Sequence, residues 1–159
     1  MSLIVDVSTD GHRLPISRAR LKDIVLGVLE AERVRHALVS VAFVSKREIA
    51  RLNREHLNHT GATDVISFAL SAGRGARGHT PVVGDVYVAP DVARENAARY
   101  GTATREEIVR LVIHGTLHVL GYDHPDGDDR VESRMWKRQE TLLASLMPAA
   151  SRRTRAVRP

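Results

Sequence analysis

His114-Gly115-Thr116-Leu117-His118-Val119-Leu120-Gly121-Tyr122-Asp123-His124 places three histidines within eleven residues, at H-x3-H-x5-H spacing. On a helix, residues four apart project from one face, one turn apart. Gly121 can end such a helix in a left-handed turn and reverse the chain, which carries the third imidazole back toward the first two. Three neutral imidazoles suit a zinc ion whose fourth position is open to water, as in catalytic rather than structural zinc sites. The spacing therefore predicts one zinc ion per chain, held by His114, His118 and His124.

Around these histidines, Ile108, Leu111, Val112, Leu117 and Leu120 make the helix apolar on several faces. It should lie buried at the centre of a helix layer. Thr104-Arg105-Glu106-Glu107 has capping-box spacing and marks its expected start. Downstream, Asp128 to Leu146 reads as a last helix through Val131, Met135, Leu142 and Leu143, with Trp136 packing it on the body.

Upstream, Leu3–Val7 reads as a strand, Ser17–Arg33 as an amphipathic helix and His36–Val44 as a buried strand. Ser45 to Glu48 is a second capping box, opening a helix to Leu57. Val65–Ala69 and Val82–Val88 read as strands, separated by a glycine-rich loop over Ser71–Pro81. Gly84 inside its strand signals a bulge or a close backbone approach. Pro90 opens a helix that Gly101 ends.

The order β-α-β-α-β-β-α-α-α gives an α+β or α/β domain, with α+β the expectation. About four strands form one sheet packed against about five helices, and the zinc-bearing helix is central. The single domain spans residues 1–147, and 148–159 form a basic tail expected to be disordered.

Composition narrows the chemistry. The chain has 159 residues, 43% of them hydrophobic, which suits one domain with a real core. It has no cysteine, which excludes disulfides and a thiolate zinc cage. Met1–Asp6 lacks a basic segment followed by a long apolar run, and no stretch approaches the roughly 20 apolar residues of a bilayer span. A cytoplasmic protein without a membrane partner is expected. Of the net charge of +5, four charges are arginines of the tail Ser151–Pro159, so the body is close to neutral. The tail is read as a solvated terminus rather than a phosphate-contacting arm.

Zinc proteases with this histidine spacing carry Glu after the first histidine, as general base. Here that position is Gly115, and the peptidase reading loses its base. A zinc-bound water at a pKa of about 7 remains available as a hydrolytic nucleophile.

Four segments carry a family resemblance. His114–His124 looks like the signature H-G-x-L-H-x-x-G-Y-D-H, Thr63–Phe68 like T-D-V-L-S-F, Gly84–Val88 like G-D-I-x-I, and Leu52-Asn53 like the opening of an earlier motif. Over roughly Val44 to Leu143 the chain thus resembles the YbeY family, zinc-dependent endoribonucleases of rRNA maturation. The resemblance implies His114, His118 and His124 as ligands. It also implies hydrolysis of single-stranded RNA in small-subunit rRNA processing, with an rRNA precursor and the small ribosomal subunit or its proteins as partners. The family continues L-N-x-x-Y-R, whereas the last two positions here are His56 and Leu57, so no arginine is carried over. Arg54 lies one turn earlier.

Asp123 and Asp64 are candidates for a group that orients a ligand or lines a polar cleft; a turn or strand-end role is the plain alternative, also for Asp85. His12, His36, His59 and His79 read as surface residues, and Arg74 and Arg77 as part of a solvated loop. Two other functions compete with the endoribonuclease: a zinc metallopeptidase, and a non-catalytic ribosome-assembly factor with a structural zinc.

Overall fold

A computed structural model describes residues 1–58, 60–71, 80–123 and 133–148. The elements run β1 (Ser2–Ser8), α1 (Arg18–Ala31), β2 (His36–Phe43), α2 (Lys46–Leu57), β3 (Val65–Ala69), β4 (Val82–Val88), α3 (Pro90–Tyr100), α4 (Thr104–Val119) and α5 (Arg134–Leu146). Among the described residues this is the expected α+β domain, with four strands and five helices. Among the described residues, no helix is long and apolar enough to cross a membrane.

The sheet order is β1-β2-β4-β3. β1, β2 and β4 run parallel, and β3 pairs antiparallel with β4. Side chains alternate between faces of each strand. Val5 and Val7, Ala37, Val39, Val41 and Phe43, and Val82, Val86 and Val88 thereby form one continuous apolar floor. Leu21, Ile24, Val25, Val28 and Leu29 of α1 cover part of it, each fully buried. Burial of that kind stabilises by about 2 kcal/mol per side chain. β2 departs from the reading as a strand buried throughout: Leu38 is 48% exposed, because the helix layer covers one face only. On the other face α2 makes a smaller cluster, with Ile49 and Leu52 packed against Ile66 and Ala89.

α4 touches β3, β4, α1, α3 and α5, which makes it the hub of the helix layer. Its close seat on the sheet depends on two glycines. A Cβ on Gly115 would fall 2.5 Å from Val86 Cγ1 of β4. A Cβ on Gly84 of β4 would overlap the Val119 side chain and lie 2.9 Å from the Phe68 carbonyl oxygen. The β4 pairings run through Gly84 without interruption, so its glycine marks a close approach and not a bulge.

Helix starts follow the sequence in three places and depart in two. Ser17, Ser45 and Ser133 are N-caps whose hydroxyls accept from the N–H three residues on. Pro90 opens α3, and Gly101 closes it at φ +69°. The Ser45 box is half-formed, because Glu48 turns to Arg51 at 2.6 and 2.8 Å. The Thr104 box does not form: Ala103 is the N-cap, Thr104 is already helical, and Arg110 holds Glu106 and Glu107. α5 starts at Arg134, and the residues expected to extend it back to Asp128 lie outside those described. Trp136 is half-buried, and Met135, Leu142 and Leu143 carry the packing of α5.

Two outcomes follow. Gly84→Ala should lower stability by about 1–3 kcal/mol through overpacking against Val119; an unchanged urea midpoint would refute the close-approach account. The second concerns Glu107. Burial pushes its carboxyl above the ordinary glutamate range, against the pull of Arg110. Its contribution is therefore present at low pH and lost as pH rises through that raised value. Glu107→Gln should gain stability relative to the parent protein between about pH 4 and pH 7. Denaturant melts at both values check this, and a constant difference would count against it.

Candidate metal centre

Between residues 107 and 120 every side chain is buried except Arg110, His114 and His118, which are half-buried. Their spacing of four makes one narrow stripe along α4 that reaches solvent. The two imidazoles stand edge to face with ring centroids 4.6 Å apart. The expectation of two histidines on one face of a central helix is met.

Each ring is oriented through Nδ1 by a carbonyl-type oxygen. His118 Nδ1 lies 3.0 Å from the Tyr122 carbonyl, which can only accept. His114 Nδ1 lies 2.6 Å from Gln139 Oε1. The Gln139 amide nitrogen donates to Glu140 at 3.0 Å, and a carboxylate only accepts, so the amide orientation is determined. Both rings therefore carry hydrogen on Nδ1; in a neutral ring this leaves the lone pair on Nε2, the form in which histidine ligates a metal.

The Tyr122 carbonyl owes its place to the helix end. The Tyr122 N–H donates to the Leu117 carbonyl and the Gly121 N–H to that of His118, both at 3.0 Å. Gly121 adopts φ +99° between them. This is a Schellman turn, as the glycine predicts. It folds the chain back so that the carbonyl of residue 122 faces the ring of residue 118.

On α5, Gln139 shares the core-facing stripe with Met135, Leu142 and Leu143 and is itself 1% exposed. Its neighbour Glu140 accepts from Arg110 at 2.9 and 3.2 Å, and Arg110 also reaches Glu106 and Glu107. Burial opposes the Arg110 charge, but the Glu140, Glu106 and Glu107 carboxylates outweigh it and push its pKa up.

Other candidates lie as follows. His124 is outside the described residues; among those described, no group of three His, Cys, Asp or Glu side chains is placed to hold a metal. Asp123, adjoining the turn, is exposed. Asp64 accepts from the Asn96 amide of α3 at 3.1 Å, and Asp85 accepts from Ser40 at 2.6 Å. Arg54, His56 and Leu57 are exposed at the end of α2, with the His56 ring edge-on to Phe68 at 5.5 Å. His12 and His36 are half-buried rather than fully on the surface. His59, Arg74, Arg77 and His79, like the tail, lie outside the described residues.

Position 115 faces β4, with Val86 and Val65 around it. A glutamate there would enter the sheet packing, which gives a physical reason for glycine where the zinc proteases keep their base.

A family profile described as Endoribonuclease YbeY matches residues 6–147. The chain belongs to this family. A relative named Endoribonuclease YbeY from Bacillus licheniformis is 37% identical over 151 residues, covering 90% of this chain and 94% of the relative. One of the same name from Thermobifida fusca is 38% identical over 146 residues, covering 88% and 92%. The solution structure of the Thermotoga maritima protein TM1509 matches with a TM-score of 0.60 at 26% identity, over 90% of this chain and 89% of that one.

Gln139 and the Tyr122 carbonyl escaped the sequence reading. The available signal for Gln139 was a polar residue on the apolar stripe of α5. Gln139→Leu should cost about 1–3 kcal/mol by leaving the His114 N–H without its acceptor. It should also weaken divalent-metal binding about tenfold or more. Thermal melts and metal titration check both, and unchanged metal affinity would count against this orienting role.

Proposed function

We propose that this chain is a zinc-dependent endoribonuclease that cuts single-stranded RNA, with one zinc ion held by His114, His118 and His124. The observation that carries the reading is the pair of helix-borne imidazoles one turn apart, each with Nδ1 bonded to a carbonyl-type oxygen. Membership in the Endoribonuclease YbeY family supports RNA as the substrate. The resemblance of the four sequence segments extends the proposal to an rRNA precursor as substrate, the small ribosomal subunit or its proteins as partners, and the cytoplasm as the place.

The donor set suits zinc: imidazole nitrogens in a chain without cysteine. When bound, zinc supplies a Lewis acid and a water acidic enough to attack at neutral pH. The protein holds the His114 and His118 rings against rotation through Gln139 and Tyr122. The negative pole of α4 lies at the His118 end, where it favours a cation. Asp123, next to His124 in the chain, is proposed to orient that ligand, and Asp64 to contribute a polar group to the cleft.

Two alternatives are separated by one set of assays. Purified protein should carry close to one zinc ion per chain and cleave single-stranded RNA. Chelation, His114→Ala and His118→Ala should each reduce cleavage by at least about 100-fold, because a ligand is lost. Cleavage at low RNA concentration should also fall steeply with salt, since phosphate contacts release counterions. Casein hydrolysis exceeding RNA hydrolysis, and lost in the same variants, would favour a metallopeptidase. Normal binding to small ribosomal subunits without metal-dependent cleavage at any salt would favour an assembly factor. Chelator-treated protein that cuts RNA at the full rate would overturn the zinc reading.

A further inference from the structure

Outside the centre, one carboxylate gathers contacts from both of its supports. Glu32 is the C-cap of α1, and its side chain is 14% exposed. Its Oε1 accepts from the Tyr122 hydroxyl at 2.6 Å, and its Oε2 accepts from Arg138 Nε at 2.7 Å. Each oxygen thus grips a different element: the turn after α4, and α5. Tyr122 is the residue whose carbonyl orients His118, and Arg138 immediately precedes Gln139, which orients His114. Arg134 lies over the Tyr122 ring, 5.6 Å from its centroid.

The Schellman bonds fix the Tyr122 N–H but leave its carbonyl free to swing about the following bond. Anchoring the phenol pins the same residue from its other end and fixes the Cα from which that carbonyl projects toward His118. We propose that Glu32 is a positioning residue of the metal centre: it fixes the Tyr122 carbonyl that orients His118. It has a weaker hold on His114 through Arg138 and Gln139, because Gln139 is also held by Glu140. The inference rests on His114 and His118 being ligands, but it makes a statement about ring orientation that holds without metal.

The test uses the metal-free full-length chain at about pH 8, where unperturbed imidazoles are neutral. Nitrogen–proton correlation spectra of the histidine rings report which nitrogen carries hydrogen. In the parent protein His114 and His118 should both carry it on Nδ1. Glu32→Ala should shift His118 to a mixture of tautomers and weaken zinc binding about tenfold in chelator competition. Tyr122→Phe, which deletes one oxygen, should reproduce the His118 change and leave His114 alone. A merely structural role would lower the melting temperature without moving tautomers measured well below it. The proposal is overturned if Glu32→Ala keeps parental tautomers and zinc affinity within twofold, or if Tyr122→Phe does so where Glu32→Ala fails to fold. Should the parent protein bind no zinc, the ligand reading fails, and the tautomer comparison still decides whether Glu32 orients these rings.

Discussion

The close approach of α4 to β4 is the constraint from which the rest follows. It is made by a reciprocal pair: Gly115 on the helix makes room for Val86, and Gly84 on the strand makes room for Val119. Close-packed interiors leave no slack for an extra methyl group at such a contact. With the helix seated this deeply, and with α1, α3 and α5 around it, one stripe of side chains is left to reach solvent. Arg110, His114 and His118 occupy that stripe. The position that supplies the base in zinc proteases of this spacing is used here for packing.

A half-buried polar stripe must be satisfied, and the neighbours are arranged for it. Arg110 meets three carboxylates, two on its own helix and Glu140 on α5. Glu140 fixes the amide of Gln139, Gln139 holds His114, and the turn closed by Gly121 delivers the Tyr122 carbonyl to His118. Each link removes rotational freedom from the next. Two imidazoles held this way keep their orientation without further ordering cost, and that preorganisation connects the packing of the core to the proposed metal site.

Much of this was legible beforehand. The histidine spacing, the apolar residues around it and Gly121 predicted a buried helix ending in a reversal, and the strand and helix periods located nearly every element. The misreadings are local and share one cause. Thr104 and Glu107 have the spacing of a cap, yet Glu107 finds a better partner in Arg110, and Ala103 takes the N-cap position instead. His36–Val44 is apolar enough for a strand covered on both sides, but only one side has a helix layer.

By itself, the sequence determined which faces are apolar, where turns must occur and which residue types can bind a metal, because these depend on spacing along the chain. Only the tertiary structure decided which surfaces meet. The order β1-β2-β4-β3, the pairing of Gly115 with Val86 and of Gly84 with Val119, and the choice of Gln139 as the partner of His114 all join distant segments. Other such links run from Glu32 to Tyr122 and Arg138, across 90 and 106 positions. Periodicity records that a side chain faces inward; which side chain it finds there is decided by the packing of the whole domain.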